Sequence, residues 1–218
     1  MRKLFFLIVI AGGAWQISQN GFPSLSSVKV YDESGNPIVK LITVDDCGKP
    51  CQMAKNELKR RRVDFEEITI NPNDDSNNDD NLALWKKVGR NSFPLIASGE
   101  EVINGSGTPA AMATMLGLNY DDKYLTRTEQ RLFKNHFNQD GSPKIVVYGT
   151  SWCPGTKKLR EELKASNVDF VEIDVERNGD QERLLKTMEI GGYPATWVGY
   201  TRVNGTNLKS VNSVLKSY

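Results

Sequence analysis

Histidine is almost missing from this 218-residue chain, with His136 the single example. Zinc sites draw on His, Cys, Asp and Glu clustered at short spacings, and the sequence holds no such cluster. Cysteine is nearly as scarce: Cys47, Cys51 and Cys153 are all there is. An odd, small number suits neither a disulfide-stapled mini-domain nor a zinc module, and leaves room for one pair plus a lone thiol. An excess of either charge is also lacking, because 28 basic side chains face 27 acidic ones. No long-range field therefore favours nucleic acid as a partner. What remains is a chain whose 39% hydrophobic content and length suffice for packed cores in one or two domains.

The longest apolar run opens the chain. Arg2 and Lys3 precede LFFLIVIAGGAW, with small residues at Gly12 and Ala14 and polar QISQNG following. A membrane span needs ~20 apolar residues, so this run is short for a span and fits an export signal. The expectation is an exported, periplasmic protein whose residues 1–27 are a cleaved signal or an N-terminal membrane anchor plus linker. Any membrane contact would come through that anchor alone, and export would place the protein where disulfides persist.

Past residue 27 the chain repeats itself. PIVKLITVDDCGKPCQMAKNELKRRRVDFEEITI (37–70) resembles SPKIVVYGTSWCPGTKKLREELKASNVDFVEIDV (142–175). In each, a β-rich run ends in a polar turn and a cysteine. A charged helix follows, with Ala54 and Leu58 or Leu159 and Leu163 at helical spacing. A second strand closes the βαβ pattern. Downstream, SFPLIASGEEVINGSG (92–107) matches GYPATWVGYTRVNGTN (192–207), and Pro94 to Gly105 spans the same interval as Pro194 to Gly205. Asn-Gly is a strong two-residue hairpin signal, so this half predicts two antiparallel strands. The segments 108–118 and 207–218 supply closing helices.

Between the repeats, 119–142 reads as a helical connector with Leu132, Phe133 and Phe137 available to dock on a domain. The acidic NPNDDSNNDDN (71–81) lacks the mid-loop glycine and terminal glutamate of an EF-hand. It reads as a solvated loop before the helix containing Trp85. The predicted domains are 28–118 and 143–218.

Four motifs in order, found twice, carry a resemblance: cysteine after a strand, amphipathic helix, second strand, and aromatic-Pro before a hairpin. The chain resembles the glutaredoxin family of the thioredoxin superfamily. This implies an α/β fold of two tandem thioredoxin-fold domains, each a four-stranded mixed sheet flanked by helices. It also implies that Phe93-Pro94 and Tyr193-Pro194 are cis-proline loops facing Cys47 and Cys153. A tight X-Pro turn is where a cis bond is tolerable.

The chemistry needs a thiolate at a helix N-terminus, where free N–H groups and the helix dipole lower a thiol's pKa from ~8.5. Cys153 fits the attacking role. Pro154 suits a first helical turn, Lys157 and Lys158 add positive charge, and Trp152 offers a flat apolar surface. Thr156 stands where the family keeps a resolving thiol, so this site is monothiol. The glutathione-gripping signature of the family is reduced: Thr150 replaces a lysine, and NGTN ends in Asn207 instead of aspartate. Backbone N–H groups of Gly205 and Thr206 remain as carboxylate donors. No tightly bound cofactor is expected, and glutathione enters as a possible co-substrate.

The first copy keeps two cysteines but spaces them one residue further apart. Residues four apart on a helix have Cα atoms about 6 Å apart, within the ~4.4–6.8 Å of disulfides. Cys47 and Cys51 are thus able to bond, as a stable link or a catalytic pair, with Asp45 and Asp46 raising nearby thiols. The predicted function is thiol–disulfide exchange on protein or small-thiol disulfides through Cys153, Cys47 and Cys51. Two alternatives stand beside it: a catalytically degenerate peptide-binding module, and a Cu(I)-handling protein using soft thiolates.

Overall fold

Short β-branched runs bounded by turns form the strands, and charged stretches with apolar residues at helical spacing form the helices. The computed structural model describes residues 28–73, 80–88, 92–177 and 179–218. The proposed export segment 1–27 lies outside the described residues, as does most of the acidic 71–81 segment. The first sheet contains β1 (Val39–Thr43), β2 (Phe65–Thr69), β3 (Leu95–Ser98) and β4 (Glu101–Asn104), in the order β2-β1-β3-β4. The second contains β5 (Ile145–Gly149), β6 (Val171–Asp174), β7 (Ala195–Val198) and β8 (Thr201–Arg202), in the order β6-β5-β7-β8. In both, the first two strands run parallel and the rest antiparallel. These are the two mixed α/β sheets that a tandem thioredoxin fold implies.

The helices repeat as well. α1 (Lys49–Arg60), α2 (Asp80–Lys87) and α3 (Pro109–Tyr120) belong to the first half, and α4 (Arg127–Phe133) to the connector. α5 (Pro154–Ala165), α6 (Gln181–Thr187) and α7 (Leu208–Leu215) complete the second half. β1 and β5 start 106 residues apart, and so do Cys47 and Cys153; α1 and α5 start 105 apart. One residue is therefore inserted between cysteine and helix, at Gly48.

The Asn-Gly pairs do not make the hairpin turns. Ser98 pairs with Glu101 and Val198 with Thr201, so the turns are Gly99-Glu100 and Gly199-Tyr200. Gly99 (φ 58°) and Gly199 (φ 53°) supply the positive φ that a type II′ turn requires at its first position. Asn104-Gly105 comes after β4, where the Gly105 N–H donates to the Pro94 carbonyl at 2.8 Å. The motif seals the far end of the hairpin against the proline loop.

The two halves also match upstream of their first strands. Tyr31 bridges to Pro37 as Phe137 bridges to Pro143. Ile38 N–H donates to the Val30 carbonyl at 3.1 Å, and Lys144 N–H to the His136 carbonyl at 2.7 Å. His136 is thus the counterpart of Val30, inside the connector.

The halves stack in layers. Behind the first sheet, Leu82 and Trp85 of α2 pack with Ile42, Leu95 and Ala97. On its other face α1 and α3 lie between this sheet and the second half, whose Leu184, Met188, Trp197 and Tyr200 join the same core. α5 and α7 close the far face with Leu159, Leu163 and Val211. α3 is largely apolar on all its faces, as expected of a helix packed on both sides, with Leu118 the apolar residue left exposed near its end. Its Gly117 lies under Tyr200, whose ring would stand 2.4 Å from an added Cβ. The Thr114 hydroxyl donates to the Tyr200 carbonyl at 3.0 Å.

The connector is built into both halves. Thr126 and Glu129 form a capping box for α4, and the buried Glu129 carboxylate accepts from both terminal nitrogens of Arg61 at 2.7 and 2.6 Å. Phe133 is buried and Phe137 packs on Tyr200, so both dock as expected. His136 is fully buried between the Gly199 carbonyl and the Tyr148 hydroxyl, each at 2.8 Å. A carbonyl only accepts, so Nδ1 carries the proton and Nε2 accepts from tyrosine. Burial pushes this imidazole down to about 4, against the Gly199 hydrogen bond. With both ring nitrogens engaged, His136 is a strut and not a spare copper ligand.

Candidate active site

In the second half, β5 delivers the chain to a turn at Ser151-Trp152, and Cys153 becomes the N-cap of α5 in extended conformation (φ −67°, ψ 121°). Pro154 occupies the first helical turn, where its missing N–H is no loss. The Tyr193–Pro194 peptide bond is cis, as is Phe93–Pro94 in the first half. Cys153 Sγ donates to the Tyr193 carbonyl at 3.5 Å. Cys153, Pro154, Tyr193 and Pro194 therefore meet at one point.

Gly155 makes that meeting possible. A Cβ there would come within 3.0 Å of Pro194 Cδ and 3.8 Å of Cys153 Sγ. The sequence signal was a glycine in the first turn of a helix, where it has poor propensity and so implies close backbone approach.

Thr156 does more than remove a resolving thiol. It is fully buried, wedged against Gly149, and its hydroxyl has no hydrogen-bond partner while the sulfur is a thiol. Ionised sulfur no longer donates to Tyr193 and becomes an acceptor. The Thr156 backbone N–H and then its hydroxyl hold the Cys153 thiol below its ordinary value; slight desolvation opposes them, and the Gly155 N–H and Lys157 help. Thr156→Val, which keeps shape and removes the donor, is expected to raise that pKa. A lowered pKa means thiolate persists to lower pH. The variant should therefore alkylate several-fold more slowly with iodoacetamide near pH 6–7 and match wild type above about pH 9. Identical profiles at all pH values would exclude the hydroxyl.

Trp152 stands 59% exposed beside the sulfur. Its indole N–H donates to Glu176 Oε1 at 2.9 Å, a partner 24 residues away that no local pattern announced. Gly205 and Thr206 are exposed at the entry to α7, and no described contact links them to Cys153. Two neighbouring first-turn N–H groups are already occupied: Asn207 accepts from Ser210 at 3.0 Å, and Glu162 of α5 accepts from Leu208 at 3.0 Å. An acidic side chain thus sits where a ligand carboxylate would seek donors.

In the first half, Cys47 and Cys51 form a disulfide with Cα atoms 5.8 Å apart, as the spacing allowed. α1 starts at Lys49 with Gly48 as N-cap. Phe93 stacks on Trp85 with ring centroids 4.9 Å apart, and Pro94 begins the run into β3. Cys153 is the free thiol.

A cysteine capping a helix against a cis-proline, on a four-stranded mixed sheet, defines a thioredoxin-fold thiol site. The glutaredoxin family matches residues 145–203. Over 64 residues the chain is 31% identical to a glutaredoxin of Pseudomonas aeruginosa, covering 29% of this chain and 76% of that protein. It is 27% identical over 73 residues to an uncharacterized glutaredoxin-like 8.6 kDa protein in the rubredoxin operon of Clostridium pasteurianum, covering 33% of this chain and 97% of that one. A trimeric glutathione transferase of Leishmania aligns at 9% identity and TM-score 0.27, over 82% of this chain and 66% of that chain; so slight a likeness carries no argument. The chain belongs to the glutaredoxin family. The family match falls on the second half, and the shared strand order and cis-proline tie the first half to it structurally.

Proposed function

We propose that the protein is a thiol–disulfide oxidoreductase whose second half works as a monothiol exchanger on protein or small-thiol disulfides. The observation that carries this is Cys153 as N-cap of α5, held at the Tyr193-Pro194 cis loop with Thr156 donors beneath it. The thiolate attacks one sulfur of a substrate disulfide. A new S–S bond forms to Cys153, and the departing thiolate takes a proton from solvent. Thr156 cannot break that mixed disulfide, so an external thiol does so and releases Cys153.

Glutathione is the proposed external thiol, on the strength of the family. The Glu162 carboxylate at α7 favours its acting from solution over tight binding. The exposed Trp152 ring supports a protein segment as the other substrate. We further propose export to the periplasm, from the Arg2-Lys3 and apolar opening of the chain.

The test is trapping. Incubated with oxidised glutathione, the chain should gain one glutathionyl group on Cys153 that persists until free thiol is added. Mass spectrometry locates the adduct, with Cys47 and Cys51 remaining bonded to each other. Absence of any adduct on Cys153 would sink the exchange reading and leave the peptide-binding one.

A further inference from the structure

The two cysteine loops differ in which residue caps the helix. In the second half the cap is Cys153 itself; in the first it is Gly48, at φ 69°. The inserted glycine moves Cys47 one position outside α1. Cys47 now lies in a turn between two residues of positive φ, Asp46 (57°) and Gly48, with its own N–H bonded to the Val44 carbonyl at 3.3 Å. Cys51, by contrast, is the third residue of α1, fixed in its first turn.

Two further observations separate the sulfurs, both of which are half-buried. The counterpart of Cys51 in the second half, Thr156, is fully buried, whereas Cys51 is half-buried and so partly accessible. The start of α1 has no side-chain cap and no acidic residue in its first turn, so its N–H groups and dipole are left to stabilise a negative sulfur there. Exposed Asp45 and Asp46 immediately precede Cys47, while Lys49 precedes Cys51 across Pro50.

We propose that the first half works with its cysteine roles reversed: Cys51 is the attacking thiol and Cys47 the resolving one. In the reduced pair, Cys51 thiolate attacks a substrate disulfide R–S–S–R′, forming Cys51–S–S–R and expelling R′S⁻, which is protonated. Cys47, giving up its proton, then attacks Cys51 Sγ, expels RS⁻ and restores the Cys47–Cys51 bond. Two electrons pass to the substrate, and two equivalents of a low-molecular-weight thiol reduce the pair again. Thiolate character at a helix start governs which cysteine attacks, and the insertion has taken Cys47 off the helix start while Cys51 stays in its first turn.

This inference rests on the exchange reading, but its test does not need turnover. The reduced full chain is labelled with limiting iodoacetamide near pH 6.5, and tandem mass spectrometry of the shared peptide assigns the label. Cys51 is expected to label about tenfold faster than Cys47, the ratio that one unit of thiol pKa gives. Deleting Gly48 returns Cys47 to the cap position and should reverse the order. Cys47 labelling as fast as Cys51 or faster in the wild-type chain overturns the proposal. A chain that exchanges no disulfide yet labels first at Cys51 loses the exchange reading alone; an active chain that labels first at Cys47 loses the reversal alone.

Discussion

In a chain whose first-half pair is disabled by Cys51→Ser, Cys153→Ser is expected to lower the hydroxyethyl disulfide reduction rate, with glutathione as reductant, on the order of 10³-fold, to near the uncatalysed background. A serine hydroxyl keeps its proton at neutral pH, so the donors at the α5 start have no anion to stabilise. The Tyr193 carbonyl, Pro194 and Trp152 would remain in place, so the loss reports the nucleophile and not the scaffold. Far-ultraviolet circular dichroism should be unchanged. If the double variant keeps half the activity of Cys51→Ser, Cys153 is not the nucleophile and the second half is a binding module. Cys47→Ser in the same assay should retain the Cys153-dependent rate.

The second large effect lies far from either cysteine site. Glu129→Ala leaves Arg61 buried without its main carboxylate partner, since both side chains are nearly inaccessible (0% and 3%). Breaking a buried pair by removing one partner costs about 3–5 kcal/mol. The α4 capping box is lost with it, because the same carboxylate accepts from the Thr126 N–H at 2.7 Å. Arg61 keeps Glu57 at 2.7 Å and the Tyr124 and Pro109 carbonyls at 3.3 Å, which offsets part of the penalty. A fall in melting temperature of roughly 10 °C is expected, measured by scanning calorimetry. Replacing both partners together, Arg61→Met with Glu129→Leu, should restore most of it. A shift under 2 °C for Glu129→Ala would show that solvent reaches the pair.

The repeat made most of the architecture readable. Strands and helices followed from alternating periods in two copies, and the cis-prolines from the resemblance to the glutaredoxin family at the two aromatic-Pro pairs. That Cys47 and Cys51 are able to bond followed from their spacing, and the structure shows the bond formed. The hairpin turns were misplaced because Asn-Gly is the stronger local signal, while the pairing of Ser98 with Glu101 depends on tertiary register. The Arg61–Glu129 pair joins residues 68 positions apart, beyond any local pattern. His136 looked like a connector residue because only its backbone bond to Lys144 and its side-chain bonds show it to be the second copy of Val30. Thr156 was legible as a missing thiol, but its role as a donor appears only with its burial.

The largely apolar character of α3 has a consequence for cutting the chain. Its counterpart α7 shows solvent Lys209, Asn212, Ser213 and, just past its end, Lys216. In α3 that face has been surrendered to Tyr200 and the second half. The repeat is therefore one folding unit at the level of side chains: either half released by proteolysis would bare its half of the seam.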